Sequence, residues 1–168
     1  MKYHKISVVD ENDNAVGEAM YEEIIKKGLI MRSANIFVFN SEGKILIHKR
    51  SRSIPTYPGM WDVKLGGIVD AGESYEEAAT RELKEEAGIE NAKLTFLFAM
   101  KVRDGPRKIN RKTFMTKYDG ELKLQKEELE EAKYAEIGEI LEMKAKGMLS
   151  KPALQNLEMY LKWKSQKK

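Results

Sequence analysis

The stretch GGIVDAGESYEEAATRELKEEAGI, residues 66–89, carries seven carboxylates in twenty-four positions, with glycines near both ends. Ser74 followed three residues later by a glutamate is a capping-box pattern, which predicts that a helix begins at Tyr75. Gly88 stands where a residue with left-handed backbone angles would end that helix. The stretch therefore predicts a helix over residues 75–87, flanked by glycine turns.

Three glutamates share one face of this predicted helix. At about 100° per residue, Glu82, Glu85 and Glu86 fall within one arc of about 100°, beside an apolar arc that can pack on a sheet. Carboxylates so placed repel one another, and Mg²⁺ or Mn²⁺, which prefers carboxylate and water oxygens, would remove the repulsion. The pattern indicates a metal site, to which the Gly67 carbonyl could add an oxygen. The alternative interpretation is a solvated acidic helix face.

The spacing of the whole stretch separates these two interpretations. It reads Gly67, five residues, Glu73, seven residues, Arg81-Glu82-Leu83, one residue, Glu85-Glu86, one residue, Gly88-Ile89. This order matches the Nudix box at each defined position, and a chance match is on the order of 10⁻⁹ per starting position at average residue frequencies. The chain therefore resembles the Nudix hydrolases, the MutT-like family.

The resemblance implies a fold and a reaction. The fold would be α/β (α+β): a mixed β-sheet sandwiched between helices, with the box as loop–helix–loop. The reaction would be hydrolysis of a diphosphate linkage in a nucleoside diphosphate joined to another group X. Mg²⁺ or Mn²⁺ would be the cofactor, bound by Glu82, Glu85 and Glu86. Arg81 would orient a box glutamate through a bidentate pair, a role that the point charge of lysine fills poorly.

Attack of water on a diphosphate also benefits from a general base. Inside the box the candidates are Glu82 and Glu73, and Glu73 could instead act through a bound water or pair with Arg81. Downstream, the segment LQKEELEEAKY offers Glu127 or Glu128, where many relatives carry a late acidic residue. The ordinary interpretation of these last two is a surface acidic run, and Glu128 is the one of the two retained as a candidate base.

More of the chain, over residues 5–140, resembles the branch of the family related to isopentenyl-diphosphate isomerase. The resemblance is carried by VVDENDNAVGEAM, GLIMRSANIFVFNSEGKILIHKRS and YPGMWD. The isomerases require a catalytic cysteine, and this chain has none; DVKL stands between Trp61 and Gly66, where their cysteine segment lies. Isomerase activity is therefore disfavoured. The chain also has Met31 where the branch usually has histidine, and Ile54 where it tends to have lysine.

Four arginines are candidates for substrate binding. Arg50 ends a predicted strand, Arg32 follows Met31, and Arg103 and Arg107 lie in the basic loop RDGPRK of the segment KVRDGPRKINRK. Such cations attract polyphosphates, although basic hairpin tips often have no partner. No aromatic residues interleave with these cations, so a nucleic-acid partner is disfavoured.

The composition indicates one domain over residues 1–168, with 30 Lys and Arg against 27 Asp and Glu. It would comprise an N-terminal hairpin and helix over residues 1–33, the box over 67–89 and a helical part over 138–168. The absence of cysteine excludes disulfides and thiolate metal sites. With no apolar run of membrane-spanning length and no secretory signal, we expect a cytoplasmic protein. Its partner would be a small-molecule diphosphate, and a homodimer is compatible with the family. The alternative function is a non-catalytic nucleotide sensor or RNA-end binder, against which the intact box argues.

The remaining secondary structure follows from hydrophobic periodicity and turn residues. His4 and His48 are expected to be structural, and Tyr57 and Trp61 could stack on a base or, for Trp61, lie in the core. Leu154, Leu157 and Leu161 form the apolar stripe of a C-terminal helix. The predicted elements are a hairpin of strands 4–9 and 15–20, a helix 21–28, a second hairpin within 34–50, a loop 51–60, strands 93–102 and 109–120, and helices near 138–146 and 152–164.

Overall fold

The structure, a computed structural model, describes residues 4–167. Residues 1–3 and 168 of the predicted single domain therefore lie outside the described part. The elements in chain order are β1 Ile6–Val9, β2 Ala15–Ala19, α1 Tyr21–Lys27, β3 Ile30–Phe39, β4 Ile45–Arg50, β5 Trp61–Asp62, β6 Leu65–Ile68, α2 Tyr75–Ala87, β7 Thr95–Asp104, β8 Arg107–Lys117, β9 Leu129–Ala135, α3 Ile137–Ala145 and α4 Lys151–Ser165.

The long strand β3 organises a mixed sheet. Along one edge it pairs in parallel with β8 over its full length, and β7 extends the sheet from β8. Along the other edge it pairs antiparallel with β1, then β6, then β4. Strand β4 in turn carries β5 and β9. The predicted mixed sheet is thus confirmed.

The two faces of β3 build the two layers of core. Because side chains alternate along a strand, Ile36 and Val38 pack against α2, whereas Phe37 and Phe39 pack against α3 and α4. In α4, Leu157 is fully buried, and the other two leucines of the predicted stripe pack beside it. Helices therefore cover both faces of the sheet, as the family resemblance implied.

Helix α2 forms over the predicted residues and with the predicted caps. The Ser74 hydroxyl accepts from the Glu77 N–H at 3.1 Å, and the Glu77 carboxylate accepts from the Ser74 N–H at 2.7 Å. Gly88 ends the helix with φ of 68°. Because both end signals are local, the bounds of this helix can be obtained from sequence alone.

Three strands were not predicted, and each lacks a clear apolar alternation. β6 reads LGGI, and its two glycines resemble a turn; Gly66 has φ of 130°, and a Cβ there would lie 2.1 Å from the Ala34 carbonyl oxygen. β9 reads LEEAKYA, with charges on its exposed side, and β5 has only two residues. These strands exist because β3 and β4 offer them partners far along the chain.

The prediction of a basic loop RDGPRK was wrong. β7 continues to Asp104 and β8 begins at Arg107, so the loop shrinks to Gly105 and Pro106. Strand pairing carries the charged residues outward on both sides of the turn, with Arg103 opposite Lys108. Backbone pairing therefore forms a strand over charged residues that the sequence predicted as a solvent-exposed loop.

Within residues 4–167, no helix is both long and apolar enough to cross a bilayer. The cytoplasmic location and the homodimer stay predictions from the sequence.

Candidate active site

The guanidinium group of Arg81 forms a fork with Glu73 at the start of the box. Nε lies 2.8 Å from Glu73 Oε1 and Nη2 lies 3.0 Å from Glu73 Oε2. Nη1 donates to Glu82 Oε1 at 2.7 Å, and Nη2 also donates to the Ile68 carbonyl at 3.1 Å. The Asp70 N–H adds a bond of 3.0 Å to Glu73 Oε2. The hydrogen bonds from Arg81 lower the pKa of Glu73, which is fixed as an anion.

Glu82 and Glu86 are withdrawn from solvent at the base of α2. The Glu82 side chain is 14% exposed, and Glu86 is buried, with Oε2 accepting from the Gly66 N–H at 2.8 Å. Burial raises the pKa of Glu86 to about 8, and the charge of Glu82 adds to the rise while Lys64 opposes it. Burial also raises the pKa of Glu82, against the opposing influence of Arg81. Two neighbouring carboxyls therefore resist being ionised together.

This environment fits a hard divalent cation, because a bound cation favours the ionised form of both carboxyls. Gly67 leaves room beside them: a Cβ at this position would lie 2.4 Å from Glu82 Oε1. Within residues 4–167, no three His, Cys, Asp or Glu side chains already converge as a metal cluster. Arg81 engages one oxygen of Glu82, and the Gly66 N–H engages one oxygen of Glu86. Glu85 lies 3.6 Å from Arg81 Nη1.

A cavity of about 520 Å³ lies beside the box. Four acidic residues line it, Glu22, Asp70, Glu82 and Glu128, together with two of the predicted cations, Arg50 and Arg107. Much of the remaining wall is apolar and comes from the N-terminal hairpin, α1, the loop 51–60 and β6: Ile6, Met20, Tyr21, Ile54, Pro55 and Ile68. The arrangement combines carboxylates, cations and an apolar wall around one space.

Glu128 is the member of the late acidic pair that reaches this cavity, whereas Glu127 is exposed and does not line it. The backbone holds Glu128 in place: its N–H donates to the Gln125 carbonyl at 2.9 Å, and its own carbonyl accepts from the Ser51 N–H at 2.8 Å. These bonds tie the start of β9 to the loop 51–60. The sequence could not distinguish the two glutamates because the distinction depends on this long-range pairing.

The four predicted arginines divide into two pairs. Arg50 lines the cavity and braces the loop, donating from Nε to the Thr56 carbonyl at 3.0 Å, and Arg107 lines the cavity from the β7–β8 hairpin. Arg32 instead donates from Nε to Asp13 Oδ1 at 3.1 Å, and Arg103 donates from Nη2 to Glu11 Oε2 at 3.1 Å.

The structure thus does not bring Arg32 and Arg103 to the cavity. Both are drawn to carboxylates of the turn DENDN, which the sequence showed only as a polar turn.

Sequence reasoning missed the contribution of the N-terminal residues to this site. His4 Nδ1 lies 3.1 Å from Asp70 Oδ2, and both residues line the cavity. No motif in the sequence connects these two positions. The other histidine, His48, is buried, with Nε2 lying 2.9 Å from the Lys64 carbonyl oxygen. Trp61 lies in the core, which was one of the two interpretations offered for it.

Comparison with known proteins identifies the family. The NUDIX domain matches residues 29–157. The chain belongs to the Nudix family. An uncharacterized Nudix hydrolase of Pseudomonas aeruginosa is 36% identical over 156 residues, covering 93% of this chain and 92% of the relative. A crystal structure from Deinococcus radiodurans aligns with a TM-score of 0.78 and 25% identity, covering 91% of this chain and 96% of that one. This Nudix protein is therefore a hydrolase by family.

The isomerase branch also appears among the relatives. An isopentenyl-diphosphate Delta-isomerase of Photorhabdus laumondii is 37% identical over 83 residues, which is 49% of this chain and 47% of the isomerase. This Nudix chain has no cysteine. Its similarity to that branch is thus real, whereas the cysteine that isomerase chemistry requires is missing.

Proposed function

We propose that this Nudix hydrolase cleaves a diphosphate linkage by attack of water on phosphorus, in a substrate of the nucleoside diphosphate-X type. One observation carries the proposal: Glu82 of the box and Glu128, the residue just before the distant β9, line the same cavity, together with Arg50 and Arg107. A diphosphate needs cations for its oxygens and a carboxylate to take a proton from water. Both kinds of group face this space.

The box would hold the cofactor. Glu82, Glu85, Glu86 and the Gly67 carbonyl are the residues that would bind Mg²⁺ or Mn²⁺, the ions that prefer such oxygen ligands. When bound, the ion neutralises phosphate oxygens and lowers the pKa of a water. Arg81 has a positioning role here, because its fork keeps Glu73 and Glu82 in fixed orientations.

Glu128 is the proposed general base. Glu73 is poorly suited, because both of its oxygens already accept hydrogen bonds from Arg81. Glu82 shares one oxygen with Arg81. Glu128 is an exposed carboxylate at the cavity wall, held by backbone bonds on both of its peptide groups. It can therefore receive a proton from water without breaking a contact that stabilises the box.

The rest of the cavity would bind the substrate. Arg50 and Arg107 are placed to pair with phosphate oxygens, which guanidinium groups contact in a bidentate manner. The apolar wall, with Tyr21 among its residues, suits the flat or apolar part of a small molecule. A nucleotide-derived substrate meets both requirements.

The test follows phosphorus products by ³¹P NMR with Mg²⁺ or Mn²⁺, over nucleotide sugars, ADP-ribose, dinucleoside polyphosphates, nucleoside triphosphates and isoprenoid diphosphates. We expect metal-dependent formation of two phosphomonoesters, or of a monophosphate with pyrophosphate. Binding of a nucleotide without metal and without turnover would instead favour the sensor. Turnover in the presence of EDTA would contradict the metal dependence.

Paired variants of α2 test the metal ligands. Glu86→Gln should lower kcat/KM by at least about 100-fold, since the ion loses a charged ligand. Glu76→Gln, the same change on the exposed side of the same helix, should leave kcat/KM within about twofold. Full activity of the Glu86→Gln protein would show that the assignment is wrong.

A second pair tests the base. Glu128→Gln should lower kcat by about 10²- to 10⁴-fold, with KM little changed. Its neighbour provides the control, because Glu127→Gln removes an equal charge from a side chain outside the cavity. If both variants keep the native kcat, the base lies elsewhere, and Glu82 becomes the next candidate.

A further inference from the structure

A second, smaller cavity of about 30 Å³ lies between the β7–β8 hairpin and the first turn of α4. Three cationic side chains line it, Arg107, Arg111 and Lys151, against the single carboxylate of Asp104. Asp104 Oδ2 pairs with Lys151 Nζ at 2.7 Å. The charges of the two arginines are therefore not balanced by a carboxylate in the cavity wall.

Arg111 is the most unusual of these residues. It is 8% exposed, and its Nε donates to the Ser33 hydroxyl at 3.0 Å. Within residues 4–167, its buried Nη1 has no hydrogen-bond partner, and the same holds for the buried Nε of Arg107. Buried donors are nearly always paired in folded proteins, so two spare guanidinium donors at one small cavity require an explanation.

The buried carboxylate of Asp62 does not provide it. The charge of Asp62 favours ionised Arg111, but the Asp62 oxygens accept from the Val63 N–H at 2.8 Å and lie 3.7 Å from Lys64 Nζ. Burial still lowers the pKa of Arg111 below its usual value. An arginine remains charged under any physiological condition, so it cannot escape this burial by losing its proton.

The second cavity shares a wall residue with the active-site cavity. Arg107 lines both spaces. The loop 51–60 also borders both, with Thr56 at the large cavity and Tyr57 at the small one. Tyr57 has φ of 50°, a backbone conformation that non-glycine residues rarely adopt. The small cavity therefore lies next to the large one, with Arg107 and the loop 51–60 between Glu82 and Glu128 on one side and Arg111 and Lys151 on the other.

We propose that this small cavity is a phosphoryl-binding subsite formed by Arg107, Arg111 and Lys151. The subsite accepts a phosphoryl group remote from the cleaved bond. This part of the inference rests on the proposed function, and it narrows the substrates of that function to those that carry such a group. Guanidinium forks match phosphate oxygens, and the first turn of the 15-residue helix α4 adds positive potential. The same chemistry could be supplied by the substrate or by free phosphate.

Binding of inorganic phosphate to the full chain, without metal and in EDTA, tests the subsite by titration calorimetry and amide NMR shifts. We expect saturable binding that Lys151→Gln weakens by about fivefold, the effect of losing one partly exposed cation. Asp104→Asn should tighten binding by about fivefold, because it removes the competing carboxylate. Lys101→Gln, an exposed cation of the same hairpin outside the cavity, serves as the matched control.

Three outcomes would overturn the subsite. They are the absence of saturable phosphate binding, equal responses of all three variants, and acetate binding as tightly as phosphate. Arg111→Lys gives an independent check, because it should also weaken phosphate binding. If that protein does not fold, the exposed positions Lys151 and Asp104 still decide the test. A purely structural role for these cations would not produce tighter binding in Asp104→Asn.

A substrate pair separates the two sources of the phosphoryl group. Two nucleotide sugars that differ only by a 2′-phosphate are compared by their ratio of kcat/KM. If the substrate supplies the group, Lys151→Gln lowers this ratio by about fivefold and Lys101→Gln leaves it unchanged. If phosphate binds and the ratio does not move, the source is free phosphate. Hydrolysis without phosphate binding would contradict the subsite alone. Phosphate binding without hydrolysis would contradict the proposed function alone.

Discussion

Arg81 on α2 and Arg111 on β8 both hold a guanidinium group away from solvent, but their surroundings differ. Each nitrogen of Arg81 donates to a protein oxygen, from Glu73, Glu82 or the Ile68 carbonyl. Arg111 donates from Nε to Ser33, and its Nη1 has no partner among residues 4–167. The first group is completed by the protein itself, whereas the second has donors left over.

The contrast separates two uses of a buried cation. A guanidinium whose donors are all satisfied acts on its neighbours, and Arg81 fixes the orientation of two box carboxylates. A guanidinium with spare buried donors carries a cost that a ligand can remove. The box is therefore organised before any substrate arrives, and the small cavity is completed on binding.

Of the substitutions that compare these two arginines, Arg81→Lys should have the largest effect, measured as kcat/KM by ³¹P NMR. Lysine keeps the charge but cannot make the fork, so Glu73 and Glu82 lose their fixed orientation and kcat/KM should fall by about 10- to 100-fold. Arg103→Lys, on the exposed β7–β8 hairpin, is the control and should behave as the native chain. A fully active Arg81→Lys protein would show that the fork has no positioning role.

The second prediction compares stability by urea unfolding. Arg81→Met leaves two partly buried carboxylates without their cation, and with Arg81 26% exposed the cost should be about 2 kcal/mol. Arg111→Met removes a buried charge whose Nη1 has no partner among residues 4–167, and the change should stay below about 1 kcal/mol. Equal losses for the two variants would erase the distinction drawn between these arginines.

His48 extends the comparison of buried cationic side chains, because a histidine, unlike an arginine, can become neutral on burial. Burial, assisted by Lys64 and Arg50 and opposed by Asp62, lowers its pKa from 6.5 to about 4. Between these values the unfolded chain binds a proton that the native chain refuses, so stability is full above pH 6.5 and falls as pH decreases toward 4. From pH 7 to pH 5 this one group should cost about 2 kcal/mol.

The measurement is urea unfolding at both pH values for the native chain and for His48→Gln, which keeps a donor for the Lys64 carbonyl. The variant should lose about 2 kcal/mol less than the native chain over this interval. An identical pH dependence of the two proteins would mean that His48 is not held neutral.

What the sequence predicts well in this molecule is local. Ser74, Glu77 and Gly88 define α2 within fifteen residues. Arg81 of this helix also contacts Glu73, which lies just before the N-cap, so this pair is close in sequence as well. What it misses depends on partners far along the chain.

Long-range contacts decide the rest of the site. The pairing of Asp13 with Arg32 removes a predicted substrate contact, and the bond between Ser51 and Glu128 decides which late glutamate faces the cavity. Neither contact leaves a periodic signal, because each involves a turn or loop residue and a partner far along the chain.

Strand β3 is synthesised well before the strand that covers one of its edges. Its register with β8 joins Ile30 to Lys108, a separation of 78 residues. At about 5–20 residues per second, a ribosome makes that interval in about 4–16 seconds. During this time the segment IMRSANIFVF, buried almost throughout in the finished fold, has no β8 to cover its edge. Synthesis speed and chaperone supply therefore bear on the yield of this protein more than on its final stability.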